Sequence, residues 1–401
     1  MKDMLEINLT MYHAVAVGAC MYFLGTLICN KVAFLNRCCI PAPLVGGLCF
    51  CILNCALYLS GTAAITMDST LEKVFMNMFF TTVGFTVSIP ALLKGGKSVI
   101  VCLIIASVMI PLQNFLGGGI MTVFGRSPLY GIACGAVALV GGPGTAAAYG
   151  PELVKAGAEG ADVAGVAAAT FGLIAGSVMG GPTARMLIEK HNLKCPHLAN
   201  KNVEDAAGEG FMSTEAKMVK GLMLILIATG AGTQVSVILT DVTGMAFPSY
   251  IGGMLTAVVI RNVMDAVKNE YPEGEIETMG NMFLAIFLAM NLSALKLWLL
   301  IDLALPMIIT LAAQCVLMFF FSYFVVFNVM GRDYDAAVMT AGFIGFSMGA
   351  TSNAMASMDA VSRKYGPSPV AYFAIPMVGG MFIDFINAFA NTMMISMWAI
   401  T

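Results

Sequence analysis

The stretch LVGGPGTAAAYG, residues 139–150, lies between two hydrophobic segments and determines the fold class that we predict. Gly-Gly-Pro-Gly would break a helix crossing a membrane at this point, because proline lacks a backbone donor and glycine favours turns. Broken backbone at membrane depth is tolerated only where protein buries it or water reaches it. A similar stretch returns near residue 350, so the chain is predicted to use broken segments twice.

Composition indicates a polytopic membrane protein. The 401 residues are 59% hydrophobic and 11% charged, against roughly 25% charged in a soluble domain. Apolar runs reach about twenty residues, the length that a bilayer requires of a helix. The first run ends without a small-residue cleavage site, so we interpret it as a retained span and not as a signal peptide. The net charge of −3 is uninformative about partners, and the sequence has no basic cluster that would indicate nucleic-acid binding.

Ten membrane spans are predicted from these apolar runs. Their approximate bounds are 12–29, 43–59, 74–92, 98–123, 163–188, 218–240, 247–264, 279–297, 301–329 and 369–398. Two further Gly-rich segments, 129–149 and 336–356, are predicted to be re-entrant hairpins. With both termini outside, this topology places 15 of the 20 basic residues in inside loops, as the positive-inside rule favours.

The chain divides into two related halves around a polar inside linker. Residues 1–190 form the first predicted repeat, 191–216 the cytoplasmic linker and 217–401 the second repeat. Four matches keep their order at a nearly constant offset: IPAPLVGG with AFPSYIGG, NMFF with NMFL, GGPGTAAA with SMGATSNA, and LIAG with MVGG. Five spans per half is an odd number, so the predicted fold is all-α with two inverted-topology repeats of five helices plus one hairpin each.

Inverted repeats with discontinuous helices are typical of secondary transporters, whose ligands bind near the midplane. Helix amides freed at the hairpin tips suit carboxylates, and unwound carbonyls with Thr or Asn oxygens suit a small cation. The alternative is that these glycines only pack tightly crossed helices. A channel could also use paired re-entrant loops.

One acid, Asp384, lies near the middle of the last span, and an ionisable residue at that depth is a functional candidate. Asn387 follows on the same helical face. The alternative is a carboxyl group satisfied by a neighbouring hydroxyl or amide. Asn77 and Asn281 are aligned between the repeats and are predicted either to bind ligand or to bond neighbouring helices. Arg185 is more typical of a snorkelling cation than of a substrate clamp.

Other function classes remain open at this point. An intramembrane Asp384 would also suit a proton antiporter, although such carriers more often place several ionisable groups along the path. A metal site at His191, Cys195 and His197 lacks a fourth ligand. No acid–base constellation appears within the spans, so we predict that the chain is not an enzyme and needs no cofactor beyond Na⁺ as coupling ion.

The chain resembles the bacterial sodium/glutamate symporter family. The resemblance rests on seven segments that keep family order across most of the chain: IPAPLVGGL (40–48), GGPGTAAA (141–148), TFGLIAGSVMGGPTAR (170–185), LALPM (303–307), YDAAVMTAGFIGFSMGAT (334–351), YGPSPVAYFAIPMVG (365–379) and FIDFIN (382–387). One departure is Pro143, which stands where the family usually has a histidine. Aspartate or a citrate-like carboxylate therefore remains an alternative substrate.

The resemblance implies sodium-coupled uptake of L-glutamate by an elevator-type mechanism in a homodimer. It implies an inner-membrane location, with both termini outside and lipid around the spans. We predict that the substrate-binding residues are Gly141, Gly142, Gly144, Thr145, Gly349, Ala350, Thr351, Asn353 and Asp384, with Asp384 facing the ammonium group of the substrate. The predicted sodium ligands are Asp384, Asn387, Thr351, Asn77 and Asn281.

Overall fold

The computed structural model describes residues 5–32, 35, 40–90, 96–196, 214–243, 247–267 and 271–399. Most of the predicted linker, including His197, lies outside these residues. In the first half the helices are α1 (Met11–Lys31), α2 (Ala42–Leu59), α3 (Thr70–Thr86), α4 (Gly96–Val123), α5 (Leu129–Ala133), α6 (Ala136–Leu139), α7 (Gly142–Lys155) and α8 (Ala161–His191).

The second half follows the same order of long and broken elements. Its helices are α9 (Glu215–Thr243), α10 (Ser249–Ala266), α11 (Glu273–Ala294), α12 (Ala304–Phe321), α13 (Phe327–Val329), α14 (Tyr334–Ser347), α15 (Thr351–Tyr365), α16 (Pro369–Met377) and α17 (Ile383–Ala399). A 3₁₀ turn, Leu297–Leu303, precedes α12, and π-helical turns at Ser322–Val326 and Val378–Phe382 join α12 to α13 and α16 to α17.

The prediction of a helical, multi-pass membrane protein is confirmed. Eight helical segments of the described chain are long and apolar enough to cross a membrane. The other two predicted spans, 74–92 and 247–264, correspond to α3 and α10. They are shorter or more polar, because α3 carries Glu72 and Lys73 and α10 carries Arg261 and Asp265.

A short pair of parallel strands departs from the all-helical prediction. β1 (Leu5–Leu9) pairs with β2 (Ala63–Met67) in register, from Leu5 opposite Ala63 to Leu9 opposite Met67. The two strands lie beside the first turn of α1 and the end of α2, so their pairing ties these two helix ends together. β1 is largely exposed and β2 is mostly half-buried, so two strands of only five residues leave little periodic signal in the sequence.

The helices pack in two groups. The panel group consists of α1–α3 and α9–α11, which pack chiefly on one another. Within it, α3, α9, α10 and α11 share a small apolar cluster that includes Phe85, Ile225 and Ile276. The core group consists of α4–α8 and α12–α17. Fewer contacts join the groups than lie within either of them; they include α11 against α7 and buried apolar side chains of both groups.

Close helix packing in the panel group depends on glycines at matching positions of the two halves. A Cβ on Gly46 of α2 would lie 1.7 Å from the carbonyl oxygen of Met21 in α1. A Cβ on Gly252 of α10 would lie 1.9 Å from the carbonyl oxygen of Gly232 in α9. Each pair therefore requires glycine for its backbones to approach this closely.

Both predicted hairpins fold as helices interrupted by a short break. The first breaks between α6 and α7 at residues 140–141, and the second between α14 and α15 at residues 348–350. Pro143 does not interrupt the chain but stands in the first turn of α7, where its fixed φ and missing N–H are tolerated. Entry of the two hairpins from opposite membrane sides remains a prediction.

Candidate functional site

A cavity of about 260 Å³ lies where the two broken segments meet the panel group. Its core-group wall contains both hairpin tips, the π-helical turn before α17 and the first turn of α17. Its lining residues are Pro41, Phe79, Phe80, Val140, Gly141, Gly142, Pro143, Gly144, Thr145, Leu173, Leu284, Leu288, Phe346, Gly349, Ala350, Thr351, Ser352, Gly379 and Asp384.

The second tip directs a helix N-terminus at the cavity. No side chain caps α15 at Ala350, so the amides of Thr351 and Ser352 have no partner within the helix. In contrast, Asp333 caps α14 through the amide of Ala336 at 2.8 Å. An uncapped helix N-terminus offers donors and a positive partial charge to a carboxylate.

Thr351 also connects this tip to the distorted last span. Its hydroxyl donates to the carbonyl oxygen of Gly379 at 2.8 Å, within the π-helical turn Val378–Phe382. This turn contains Gly379 and Gly380 and follows directly on the helix that holds Pro376. The turn brings backbone carbonyls of the last span to the edge of the cavity.

The first tip meets the second. Gly142 has φ +66°, a conformation that L side chains rarely adopt, and a Cβ there would lie 3.1 Å from the carbonyl oxygen of Gly349. Behind Gly142, the uncapped N-terminus of α7 supplies the amides of Gly144 and Thr145, while Pro143 has none. Two helix N-termini therefore converge on one cavity.

Asp384 is the single ionisable residue among the described residues that line the cavity. It lies in the first turn of α17, directly after the π-helical turn. The Asp384 carboxylate can bind a cation or the ammonium group of an amino acid. The two helix N-termini beside it can bind the carboxylate of the same ligand.

The panel wall of the cavity is apolar. It consists of Pro41 before α2, Phe79 and Phe80 on α3, and Leu284 and Leu288 on α11. The prediction had selected Asn77 and Asn281 from the repeated NMFF and NMFL motifs. Phe79 and Phe80 of NMFF and Leu284 of NMFL line the cavity instead, so the repeated motif marks the cavity wall through its apolar residues.

Four predicted ligands lie outside the cavity lining. The Asn77 side chain accepts a hydrogen bond from the Ser249 hydroxyl at 2.9 Å, within the panel group. Asn281 is exposed in a groove between α1 and α11. The structure does not bring these two residues to Asp384, because α3 and α11 present other faces to the cavity; their sodium-binding role is unsupported by this geometry.

Asn353 and Asn387 instead hold the hairpins in place. Asn353 is fully buried and donates to the Leu173 carbonyl and the Ser177 hydroxyl of α8. Asn387 donates to the carbonyl oxygen of Ala136 at 3.2 Å. Each amide bonds one tip segment to a neighbouring long helix, so both residues position the site from behind in this structure.

The metal alternative finds no support among the described residues, which contain no cluster of three or more His, Cys, Asp or Glu side chains able to hold a metal ion. Cys195 donates through its sulfur to the Pro367 carbonyl oxygen at 3.3 Å. The His191 ring packs on Phe327 with 5.3 Å between centroids.

A multi-pass helical fold with a central cavity of broken helices defines a membrane transport protein. Residues 7–367 match the model of the sodium/glutamate symporter family. The chain is 34% identical to the sodium/glutamate symporter of Haemophilus influenzae over 94% of this chain and 95% of that protein. It is 35% identical to that of Escherichia coli over 91% and 92%. The chain therefore belongs to the sodium/glutamate symporter family.

A more distant likeness links the chain to a solved structure. The sodium/proton antiporter MjNhaP1 of Methanocaldococcus jannaschii aligns with a TM-score of 0.46 and 12% identity, over 97% of this chain and 98% of that one. A likeness at this level does not bear on function.

Proposed function

We propose that this protein is a secondary active transporter that imports L-glutamate together with sodium. The observation that carries the proposal is the convergence of two uncapped helix N-termini and Asp384 on one cavity. Family membership supports the choice of glutamate and sodium, because both matched relatives are named sodium/glutamate symporters.

In this proposal the carboxylates lie against the helix amides and the hydroxyls of Thr145 and Thr351. No Lys or Arg lines the cavity among the described residues, so helix N-termini supply the positive potential. Asp384 faces the ammonium group, sodium or both. Sodium bound beside the carboxylates raises the affinity for the anion, and linkage requires glutamate to raise the affinity for sodium equally.

The transport step follows from the division of the cavity between two helix groups. All polar lining residues lie in the core group, whereas the panel group contributes apolar side chains. An elevator-type movement of the core group along an apolar panel would carry the bound ligand without breaking its polar contacts. Apolar side chains of both groups meet in one buried cluster, and non-directional contacts of this kind can be exchanged during such a movement.

We place the protein in a bacterial inner membrane as a homodimer surrounded by lipid, with both termini outside and the central linker in the cytoplasm. The charge asymmetry of the loops supports this orientation. An aspartate or citrate-like carboxylate as substrate, or exchange of cations or protons, would appear as distinct outcomes in the transport assay.

Uptake of labelled L-glutamate into proteoliposomes tests the proposal. An inward sodium gradient should drive accumulation above the outside concentration, and potassium in its place should not. Excess unlabelled glutamate should block uptake, whereas glutamine should compete poorly because it lacks the second carboxylate. Preferential uptake of aspartate or citrate would replace the substrate, and sodium efflux coupled to proton entry without glutamate would replace the mechanism.

A further inference from the structure

A second group of buried polar side chains lies behind the tip of the second hairpin. The Gln314 side-chain amide of α12 donates to the backbone carbonyl oxygen of Gln113 in α4 at 2.7 Å. The Gln113 side-chain amide donates to the backbone carbonyl oxygen of Ser347 at 3.0 Å. These two bonds connect α12, α4 and the last residue of α14. Thr310 lies one turn before Gln314, on the same face of α12.

These four residues leave four oxygen atoms without a hydrogen-bond partner. They are the side-chain oxygens of Gln113, Thr310, Gln314 and Ser347, and each side chain is at most 1% exposed. Buried polar atoms are normally paired, so an unpaired group calls for a specific explanation. Each glutamine amide makes one of the two hydrogen bonds described above. All four unpaired atoms are oxygens, two of amide carbonyls and two of hydroxyls.

The next residue on α4 provides an internal comparison. The Asn114 oxygen accepts from the Ala136 amide at 2.8 Å, and its amide donates to the Asn391 oxygen at 2.7 Å. The Asn391 amide then donates to the Asn387 oxygen at 2.8 Å. This asparagine cluster at the first hairpin pairs its amide oxygens within the protein. Unpaired oxygens are therefore a property of the glutamine cluster and not of the α4 region in general.

The chemistry of the glutamine cluster favours a small cation. Amide carbonyl and hydroxyl oxygens are hard ligands of the type that alkali and alkaline-earth ions prefer. Ser347 ends the 14-residue helix α14, whose C-terminus carries a negative partial charge. None of the four residues lines the central cavity, so this cluster is separate from the site built around Asp384.

We propose that Gln113, Thr310, Gln314 and Ser347 form a binding site for a sodium ion; the choice of sodium rests on the proposed function. Ser347 directly precedes the break at residues 348–350 and therefore couples the ion to the second tip. An ion held there orders the tip and favours ligand capture at the N-terminus of α15.

Binding of ²²Na⁺ to the purified full-length protein, without glutamate, tests the site. The variants are Thr310→Val, Gln314→Met and Ser347→Ala. The matched controls are Thr340→Val and Ser293→Ala, which delete buried hydroxyls that already donate to carbonyls of their own helices, at 2.8 and 2.7 Å. A thermal unfolding curve for each variant checks that it folds.

We expect the three site variants either to lose one bound ion per protomer or to bind sodium about tenfold more weakly. The controls should match the wild type. The Asp384→Asn variant should keep this ion, because Asp384 is not a ligand of it. Wild-type sodium binding in Thr310→Val, a replacement of the same shape, would overturn the proposal and identify the oxygens as sites for water.

These outcomes are independent of the substrate. The wild type could fail to transport glutamate while the Thr310→Val variant binds one sodium ion fewer than the wild type. The ion site would then stand and the proposed function would fall. If glutamate uptake were sodium-driven and all variants bound sodium normally, the proposed function would stand and this site would fall.

Discussion

The two walls of the central cavity are made of different chemistry. The core wall brings two glycine-containing tips, two helix N-termini, Thr351 and Asp384. The panel wall brings only apolar side chains, among them Phe79 and Leu284. Directional contacts are thus confined to one helix group, and the other closes the cavity without fixing the ligand in place.

This asymmetry explains how a ligand could move with part of the protein. Hydrogen bonds are directional, and buried polar or charged groups are costly to leave without a partner, so a moving element would have to carry its polar contacts with it. Apolar contacts are non-directional, so the proposed elevator-type movement would let the panel exchange them. Substitutions on the two walls are therefore expected to differ in kind and in size.

The largest effect is expected on the core wall at Asp384. Among the described residues that line the cavity, Asp384 is the single ionisable one, and Asp384→Asn removes its charge. Sodium-driven glutamate uptake should fall by at least about a hundredfold, because one charged contact to the ligand or the ion is lost. Labelled uptake into proteoliposomes measures it. Glu152→Gln is the matched control, because Glu152 pairs with Lys155 at the surface at 2.8 Å. Equal loss in both variants would contradict a specific role for Asp384.

Gly142 tests the contact between the tips. Gly142→Ala places a Cβ 3.1 Å from the Gly349 carbonyl oxygen in a residue with φ +66°. The left-handed backbone should cost about 1–2 kcal/mol of stability. The close contact between the tips should also lower glutamate uptake about tenfold or more. Gly61 has φ +68° with nothing within 4 Å of an added Cβ. Gly61→Ala should therefore lose similar stability in thermal unfolding and keep its uptake. Full uptake by Gly142→Ala would exclude a functional contact between the tips.

A smaller effect is expected at Thr351. Thr351→Val keeps the shape but removes the hydroxyl that donates to Gly379 at 2.8 Å, and should weaken sodium-dependent glutamate uptake about tenfold. Thr351→Ser retains the hydroxyl and should stay within about threefold of the wild type. The sodium dependence of glutamate uptake is measured for both variants. Equal sodium dependence in Thr351→Val and Thr351→Ser would contradict a role for the Thr351 hydroxyl.

The smallest effect is expected on the panel wall. Leu284→Met conserves volume and apolarity at a position that faces the cavity, so its KM for glutamate should change by less than about threefold. Its sodium dependence should be unchanged. A loss of uptake as large as that of Thr351→Val would show that the panel wall contributes specific contacts, and the contrast between the walls would fail.

Much of the fold could be predicted from the sequence, because apolar length and loop charge report membrane spans directly. The positions of Thr145 and Thr351 at the start of α7 and α15 also followed from the repeated Gly-rich tracts. The pairing of β1 with β2 could not be predicted, because it joins short segments that are far apart in sequence.

The site was predicted unevenly for a physical reason. Asp384 and the glycines of both tips line one cavity; they were candidates because a charge or a helix-breaking run at membrane depth stands out in a sequence. Asn77 and Asn387 were selected as polar residues within apolar spans, yet each of them bonds a neighbouring helix. Sequence shows that an amide is buried, but the face it presents depends on how helices pack.

The movement of one wall past the other is tested most directly by distances between spin labels. Labels introduced through unnatural amino acids at exposed Val123 of α4 and Val242 of α9 would span the core and panel groups, with a second pair within the core group at Val123 and Lys155. Sodium plus substrate should shift the distance distribution of the first pair and leave that of the second unchanged. A transport-competent protein in which the first distance never changed would contradict the account.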